Sequence, residues 1–336
     1  MNPWRFCVAP MLDWTDSHCR LFHRQLSKHA RLYTEMVTCG ALIHGDQHRH
    51  LDFNDQEHPI ALQLGGSDPA DLATCAKLAQ QWGYDEINLN CGCPSERVQR
   101  GSFGACLMNE PQLVADCCKA MQDVVDIPVT VKHRIGIDKI EEYGFVRDFV
   151  GTLHEAGVNT FIVHTRNAWL KGLSPKENRE IPPLRREVAY DLKRDFADAT
   201  IVINGQVDNL ETAEELLNHV DGVMMGRAAY RTPWVLSDVD ARLFGDMHET
   251  ATREQIIDTM TEYLERVTPE NEHAPRATAK AMIGLLQGMA GARFYRRTLS
   301  DPQAFASEGT QVLKAAYASA GWGERITDDR RDDDEF

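Results

Sequence analysis

The chain has 336 residues, 43% hydrophobic and 26% charged, with 36 Lys and Arg against 51 Asp and Glu. That length suits one large domain, or a barrel-sized domain plus a small one, and the composition argues against wholesale disorder. A formal charge of -15, taken alone, argues against a polyanionic partner, because nucleic-acid binding is driven by Lys and Arg meeting phosphates.

The opening Met1-Asn2-Pro3-Trp4-Arg5-Phe6-Cys7 carries no long apolar run. Neither a signal peptide nor a membrane span is expected. Nine scattered cysteines in a chain too large to need disulfide staples point to a reducing, cytoplasmic compartment. The closest pairs, Cys91/Cys93 and Cys117/Cys118, lack a second ligand pair at zinc spacing, so no metal is expected.

In chain order, short β-rich runs fall at Phe6–Met11, Leu32–Met36, Ile60–Leu64, Glu86–Asn90, Val129–Arg134, Thr160–Thr165, Ile201–Asn204 and Gly222–Met225. Helical patterns lie between them at Asp68–Trp82, Pro111–Val125, Glu141–Ala156 and Asn209–Asn218. This alternation predicts an α/β fold, a (β/α)8 TIM barrel over residues 1–245. An open doubly wound sheet is the competitor, but Pro10-Met11-Leu12-Asp13 stands where its glycine-rich fingerprint belongs. From Asp246 the strand pattern stops. Thr252–Val267, Ala277–Met289 and Pro302–Ala320 read as helices, giving a C-terminal all-α domain over 246–326 and a disordered acidic tail over 327–336.

In such a barrel the chemistry belongs at the C-terminal strand ends. Those ends read Pro10-Met11, Glu35-Met36, Gln63-Leu64-Gly65, Asn88-Leu89-Asn90, Lys132-His133-Arg134, His164-Thr165-Arg166, Asn204-Gly205-Gln206 and Gly226-Arg227. So many polar groups suggest a polar ligand. The last two ends supply glycines and an arginine where barrels often bind phosphate, although ordinary tight turns would also account for the glycines. Lys132 puts a cation in the mouth, which suits a flavin whose reduced form is negative near N1 and the C2 carbonyl. The competing readings are a snorkelling surface lysine for Lys132 and a satisfied interior histidine for His164. After the fourth strand, a cysteine followed by a glycine-rich loop offers a thiol that can donate a proton. By position alone Cys91, Cys93 and Cys106 are equal candidates.

The segment Asn88–Met108, with Asn-x-Asn-x-Gly-Cys-Pro at its start and Gly-x-x-Gly-Ala-x-Leu-Met at its end, resembles the signature of the tRNA-dihydrouridine synthases. Ala9-Pro10-Met11, Gln63-Leu64-Gly65, Val131-Lys132-x-Arg134, Val163-His164-Thr165-Arg166, Asn204-Gly205 and Gly226-Arg227 fit the same family in order. The stretches Trp169–Arg179 and Arg293–Arg297 are most similar to its A subfamily, which acts on D-loop uridines 20 and 20a. The resemblance implies an FMN-bearing barrel, a helical tRNA-recognition domain, and NADPH as electron donor for reducing the uridine C5–C6 double bond. It implies that Cys93 protonates C5 while reduced FMN delivers hydride to C6. FMN would lie against Pro10, Met11, Leu12, Gln63, Lys132 and His164, with its phosphate toward Asn204, Gly205, Gln206, Gly226 and Arg227. The tRNA would meet Asn90 (or Asn90 would meet the flavin), Lys176, Arg179, Arg293 and Arg296. Cys91 and Gln206 depart from residues common among relatives. A monomer is expected.

Two rivals remain: an FMN barrel oxidoreductase for free pyrimidines, and a tRNA-binding module without catalysis. The first gives no reason for Arg293, Arg296 and Arg297 on a helical appendage; flavin absorbance separates the second from any such enzyme. The charge itself is uneven. Asp246–Pro275 holds eight acids and two bases, and Glu324–Phe336 seven acids and three bases. By contrast Arg166–Arg194 holds eight bases and four acids, and Arg276–Arg297 five bases and no acid. The acidic total therefore leaves two basic stretches where an RNA could bind.

Overall fold

The computed structural model describes residues 2–322; the tail expected over 327–336 and the end of the helical region lie outside the described residues. Eight strands, β1 (Phe6–Val8), β2 (Leu32–Thr38), β3 (Ile60–Gly65), β4 (Glu86–Cys91), β5 (Val129–Arg134), β6 (Thr160–His164), β7 (Thr200–Asn204) and β8 (Gly222–Met225), pair in parallel in the order β1-β8-β7-β6-β5-β4-β3-β2. A bridge between Cys7 and Arg31 closes the ring. Arg31 N donates to Phe6 O at 3.0 Å, and Val8 N donates to Arg31 O at 2.9 Å. The fold is the expected (β/α)8 barrel.

Every predicted strand is present within a residue or two at its ends, except that β1 stops at Val8 and not at Met11. Pro10 has no N–H to continue the ladder, and Met11 N turns away to Thr15 Oγ1 at 3.0 Å. The crossover helices begin where local chemistry starts them. Asp68 caps Pro69–Trp82 by accepting from Ala70 N and Asp71 N at 2.9 and 3.0 Å, and Pro69 sits in the first turn, where its missing N–H costs nothing.

Alternation along the strands sorts residues between two layers. Ile87, Leu89, Val131, Phe161, Val163, Ile201 and Ile203 face the helices and belong to the main apolar core. Cys7, Ala9, Tyr33, Ala61, Ile162, Val202 and Met224 form a separate apolar cluster. Glu86, Asn88 and Thr130, at alternate positions of β4 and β5, are fully buried and polar. This barrel therefore carries a polar seam along one side.

The C-terminal part consists of helices Arg253–Val267, Ala274–Met282, Ala292–Thr298, Pro302–Glu308 and Val312–Ser319. Two expectations are corrected in detail. The helix expected over Ala277–Met289 starts three residues earlier and ends at Met282, and Gly284 lies so close to Arg231 O that a Cβ there would sit 2.3 Å away. The helix expected over Pro302–Ala320 is split by a tight turn at Gly309–Gln311, where the poor helix propensity of glycine interrupts it. Helix Ala292–Thr298, short and flanked by glycine, was not anticipated. Ile256, Met260, Leu264, Ala279 and Met282 join the same core cluster as the barrel helices. Helix Ala274–Met282 packs on helix Ser17–Leu26, and Lys280 Nζ donates to Asp13 O at 2.7 Å. The helical part thus meets the barrel at the loop that follows β1.

Candidate active site

The polar strand ends converge at the C-terminal mouth. On β3, Gln63 Nε2 donates to Asn88 Oδ1 at 2.7 Å, while Gln63 Oε1 accepts from Asn90 Nδ2 at 2.9 Å. Asn90 Oδ1 accepts from the backbone N–H groups of Gly92 and Cys93 at 3.0 and 2.9 Å. The position of Cys93 is thereby tied to the strand that precedes it. A second clamp comes from the glycine-rich loop: Ala105 N donates to Cys93 O at 2.9 Å. Gly104 has φ +76°, and a Cβ there would meet Cys93 O at 2.7 Å and Val98 Cγ1 at 2.4 Å, so only glycine fits beside the cysteine.

The three candidate thiols separate by environment. Cys91 points outward into the core, and burial pushes its thiol well above the ordinary value. Cys106 is half-buried, bonds the Phe103 carbonyl at 3.1 Å, and is likewise raised by burial. Cys93 is half-buried and lies within electrostatic reach of Lys132 and Arg134. Of the three, only Cys93 faces the cations of the mouth.

Lys132 pairs in register with Asn90. Its ammonium has no ion-pair partner among the described residues, and burial, with Arg134 nearby, lowers its pKa to about 7. It is a half-buried strand-end lysine and not a snorkelling surface one. His164, in register with Arg134 and Asn204, is pushed well below the ordinary histidine value by burial and by the Arg134, Lys132, Arg166 and Arg179 charges. At neutral pH it is an uncharged ring able both to donate and to accept.

On the opposite side, Gly205 (φ +129°) and Gln206 (φ +51°) form a tight turn after β7. A Cβ on Gly205 would lie 2.8 Å from Thr165 Oγ1, so this turn accommodates only glycine. Asn204 Nδ2 donates to Met224 O at 2.8 Å, binding β7 to β8. Gln206 is held at both ends, its Oε1 by Arg166 at 2.9 Å and its carbonyl by Arg186 at 2.8 Å. The Nε atoms of Arg166 and Arg186 are buried without a hydrogen-bond partner. Arg227, first residue of the helix after β8, pairs with Glu180 at 2.6 Å. Two cations with unused donors beside the glycine turn after β7 suit a ligand with several anionic oxygens.

Arg134 was read only as part of a motif, yet it organises the rim. It is buried, and it donates to Gly92 O at 3.2 Å, Asn167 O at 3.2 Å and Asn178 O at 2.9 Å. Asn178, fully buried, folds the 166–182 loop around itself through Trp169 and Leu173. Gln99 Nε2 reaches across to Leu170 O at 2.9 Å, joining that loop to the one carrying Cys93. Lys176 and Arg179 are exposed on this rim. At the first strand end Pro10 and Met11 are half-buried, and Leu12 projects into solvent, 68% exposed.

Arg293 and Arg296 lie apart from the mouth residues, on helix Ala292–Thr298. Arg293 is exposed, and Arg296 bonds Gln287 Oε1 at 2.8 Å. Sequence reasoning gives no role to Glu86, Asn88, Thr130 and Asn178, although Asn88 stands among the polar strand ends. The spacing Glu86-x-Asn88-x-Asn90 on an otherwise apolar strand was the available signal for the first two; Asn178 gave none. Among the described residues no group of three or more His, Cys, Asp and Glu is arranged to hold a metal, and no helix is long and apolar enough to cross a membrane.

A family model described as Dihydrouridine synthase (Dus) matches residues 7–320. The chain is 56% identical over 315 residues to the tRNA-dihydrouridine(20/20a) synthase of Vibrio vulnificus (strain CMCP6), covering 94% of this chain and 96% of that one. It is 55% identical over 314 residues to the protein of the same name from Salmonella typhimurium (strain LT2), covering 93% and 94%. Among solved structures, morphinone reductase shares the fold with a TM-score of 0.51 at 13% identity, over 75% of this chain and 88% of that one.

Proposed function

The chain belongs to the dihydrouridine synthase family, and from that premise we propose that it reduces the C5–C6 double bond of uridines 20 and 20a in the tRNA D-loop, with FMN as cofactor and NADPH as electron donor. The observation that carries this reading is the pairing, in one barrel mouth, of a thiol fixed beside a half-buried lysine with a glycine- and arginine-lined turn. The residues fit FMN. The unpartnered Arg166 and Arg186 Nε atoms and the Gly205 turn suit its phosphate, together with Asn204, Gln206, Gly226 and Arg227. Lys132 offers the missing counter-charge to the ring, Gln63 and His164 keep hydrogen-bonding capacity for its edge, and Pro10, Met11 and Leu12 supply backbone and apolar contact.

When bound, FMN supplies the hydride that reaches uridine C6. The proton for C5 comes from Sγ of Cys93, and the thiolate left behind faces Lys132 and Arg134, whose charges stabilise it. Asn90 retains one amide N–H beyond its bonds to Gln63, Gly92 and Cys93, which is free for the target base or the flavin. A uridine must leave its stack to reach this depth. Lys176 and Arg179 on the rim, with Arg293 and Arg296 on the helical region 246–326, provide phosphate contacts for the rest of the tRNA. The sequence carries no dinucleotide-binding motif, so NADPH visits the same mouth in turn. The proposed enzyme is a cytoplasmic monomer without metal.

The test is NADPH-dependent reduction of unmodified tRNA by the purified protein, with mass-spectrometric mapping of the modified nucleotides. A gain of two hydrogens confined to D-loop uridines is expected. Equal reduction of free uridine would make the protein a pyrimidine reductase, and absence of flavin absorbance would make it a binding module.

A further inference from the structure

Below the mouth, a continuous line of hydrogen bonds runs through the barrel interior. Glu86 Oε2 accepts from Trp4 Nε1 at 2.7 Å and from Arg31 at 3.1 Å, and Glu86 Oε1 accepts from Tyr33 OH at 2.8 Å and Thr130 Oγ1 at 2.5 Å. Thr130 Oγ1 in turn accepts from Asn88 Nδ2 at 2.8 Å. Asn88 Oδ1 accepts from Gln63, Gln63 Oε1 from Asn90, and Asn90 Oδ1 from the N–H groups of Gly92 and Cys93. Glu86, Asn88, Thr130 and Gln63 are at most 1% exposed.

Every link points the same way, and both ends are obligatory. A carboxylate paired with a guanidinium offers acceptors only, so the Thr130 hydroxyl must donate toward it and accept from Asn88. At the far end, two backbone N–H groups can only donate, so Asn90 must present oxygen to them. The three amides between could each be turned over, but any turn would set donor against donor or oxygen against oxygen where the side chains are buried. Polarity set at the barrel floor therefore agrees with polarity required at the cysteine loop. Arg31 is also the residue that bridges β1 to β2, so the same line begins where the ring closes.

We infer that Glu86, acting through Thr130 and Asn88, is a positioning residue that fixes the orientation of the Gln63 and Asn90 amides and so the place of Cys93. This deepens the reading of Cys93 as proton donor and rests on it for its consequence in catalysis. The geometry of the line itself does not depend on that reading. A purely structural Glu86 would serve only to neutralise Arg31, and the hydroxyl at residue 130 would then not matter to the loop at 92–93.

The variants that separate these roles are Thr130→Val, which keeps shape and removes the hydroxyl, and Thr130→Ser, which restores it. Peptide-resolved hydrogen exchange and alkylation of Cys93 with iodoacetamide are measured on the holoenzyme and on the same protein stripped of flavin. In Thr130→Val, amide exchange over residues 91–95 rises about tenfold, the size expected when one buried hydrogen bond supporting a loop is lost. Cys93 alkylation changes with it, while exchange over β7 stays at the wild-type rate. Thr130→Ser behaves as wild type. In tRNA reduction, kcat falls in Thr130→Val with KM for tRNA unchanged. Should Thr130→Val fail to fold, Glu86→Gln is read by the same exchange measurement with the same expectation at 91–95. Wild-type exchange at 91–95, or an equal rise over β7, overturns the inference. Because exchange needs no turnover, that failure is distinct from failure of the proton-donor reading, which shows only as retained activity in Cys93→Ala.

Discussion

On the β3–β5 side of the mouth, Gln63, Asn88 and Asn90 pair their amides with one another and with the cysteine loop. On the β6–β8 side, Arg166 and Arg186 each keep a buried Nε–H without a partner. The amide line of the first side is closed by partners within the protein. The second side leaves two guanidinium donors unpaired, which the proposed function gives to an anion. One side of a barrel mouth can thus hold a thiol in a self-paired network while the other, on the proposed function, keeps donors for an anion, because amide networks satisfy themselves and clustered guanidinium groups repel one another. Loss of a residue on the first side should damage chemistry, and loss on the second should damage cofactor retention.

The sharpest break is Cys93→Ala. Bound FMN is retained, and tRNA reduction falls by about 10²–10⁴, the range typical of a lost general acid; flavin absorbance and nucleotide mapping read the two effects. Full activity in that variant would remove Cys93 from the chemistry. Next comes Arg166→Met, which should weaken FMN binding about 10–100-fold, as expected for charge-assisted bonds to a phosphate. Fluorescence titration measures it, and exchange over residues 91–95 stays unchanged if the two sides are independent.

Lys132 links the sides through pH. With its pKa lowered to about 7 in the ligand-free protein, an anionic ring would draw a proton onto it and raise that value. Affinity for reduced FMN, whose ring is anionic, should then fall above pH 7, by at most about tenfold per pH unit. The folded value lies below the unfolded one, so the unfolded chain binds more protons between about 7 and the ordinary lysine value. The contribution of Lys132 to stability of the flavin-free protein should therefore rise with pH across that window, the opposite sign to the affinity, and is read as the difference between wild type and Lys132→Met. Denaturant unfolding measures that difference, and titration of Lys132→Met should show the affinity slope lost.

The smallest effect is expected farthest from the mouth. Arg293→Ala combined with Arg296→Ala should weaken tRNA binding several-fold and reduce its salt dependence by about one to two in the log–log slope, with FMN still bound. Filter binding across salt concentrations measures this. Loss of flavin in that variant would mean that the helical part supports the barrel and not the RNA.

Much of the barrel was legible because each strand is a short apolar run bounded by helix caps and turns, a signal written in neighbouring residues. Asp68-Pro69 starts a helix wherever it folds, and Pro10 ends a ladder wherever it sits. The mouth residues were legible for the same reason, since strand ends can be counted along the chain. Less visible were the outcomes that depend on distant partners. Helix Ala292–Thr298 escaped notice because it is too short for a clear period, and the break at Gly309 was hidden inside an otherwise helical stretch. Asn178 looks like any loop asparagine until Arg134 and Trp169 close around it.

The order of strands, the family signature and the set of polar groups at one end of the barrel can be read along the chain, because they follow from local periodicity and spacing. Which of three cysteines faces the cations, which arginine donors are left without partners, and in which direction the interior amides point emerge on folding alone. Those are properties of groups brought together from residues far apart in the chain. Their energies depend on burial and on mutual hydrogen bonding, which no single segment contains.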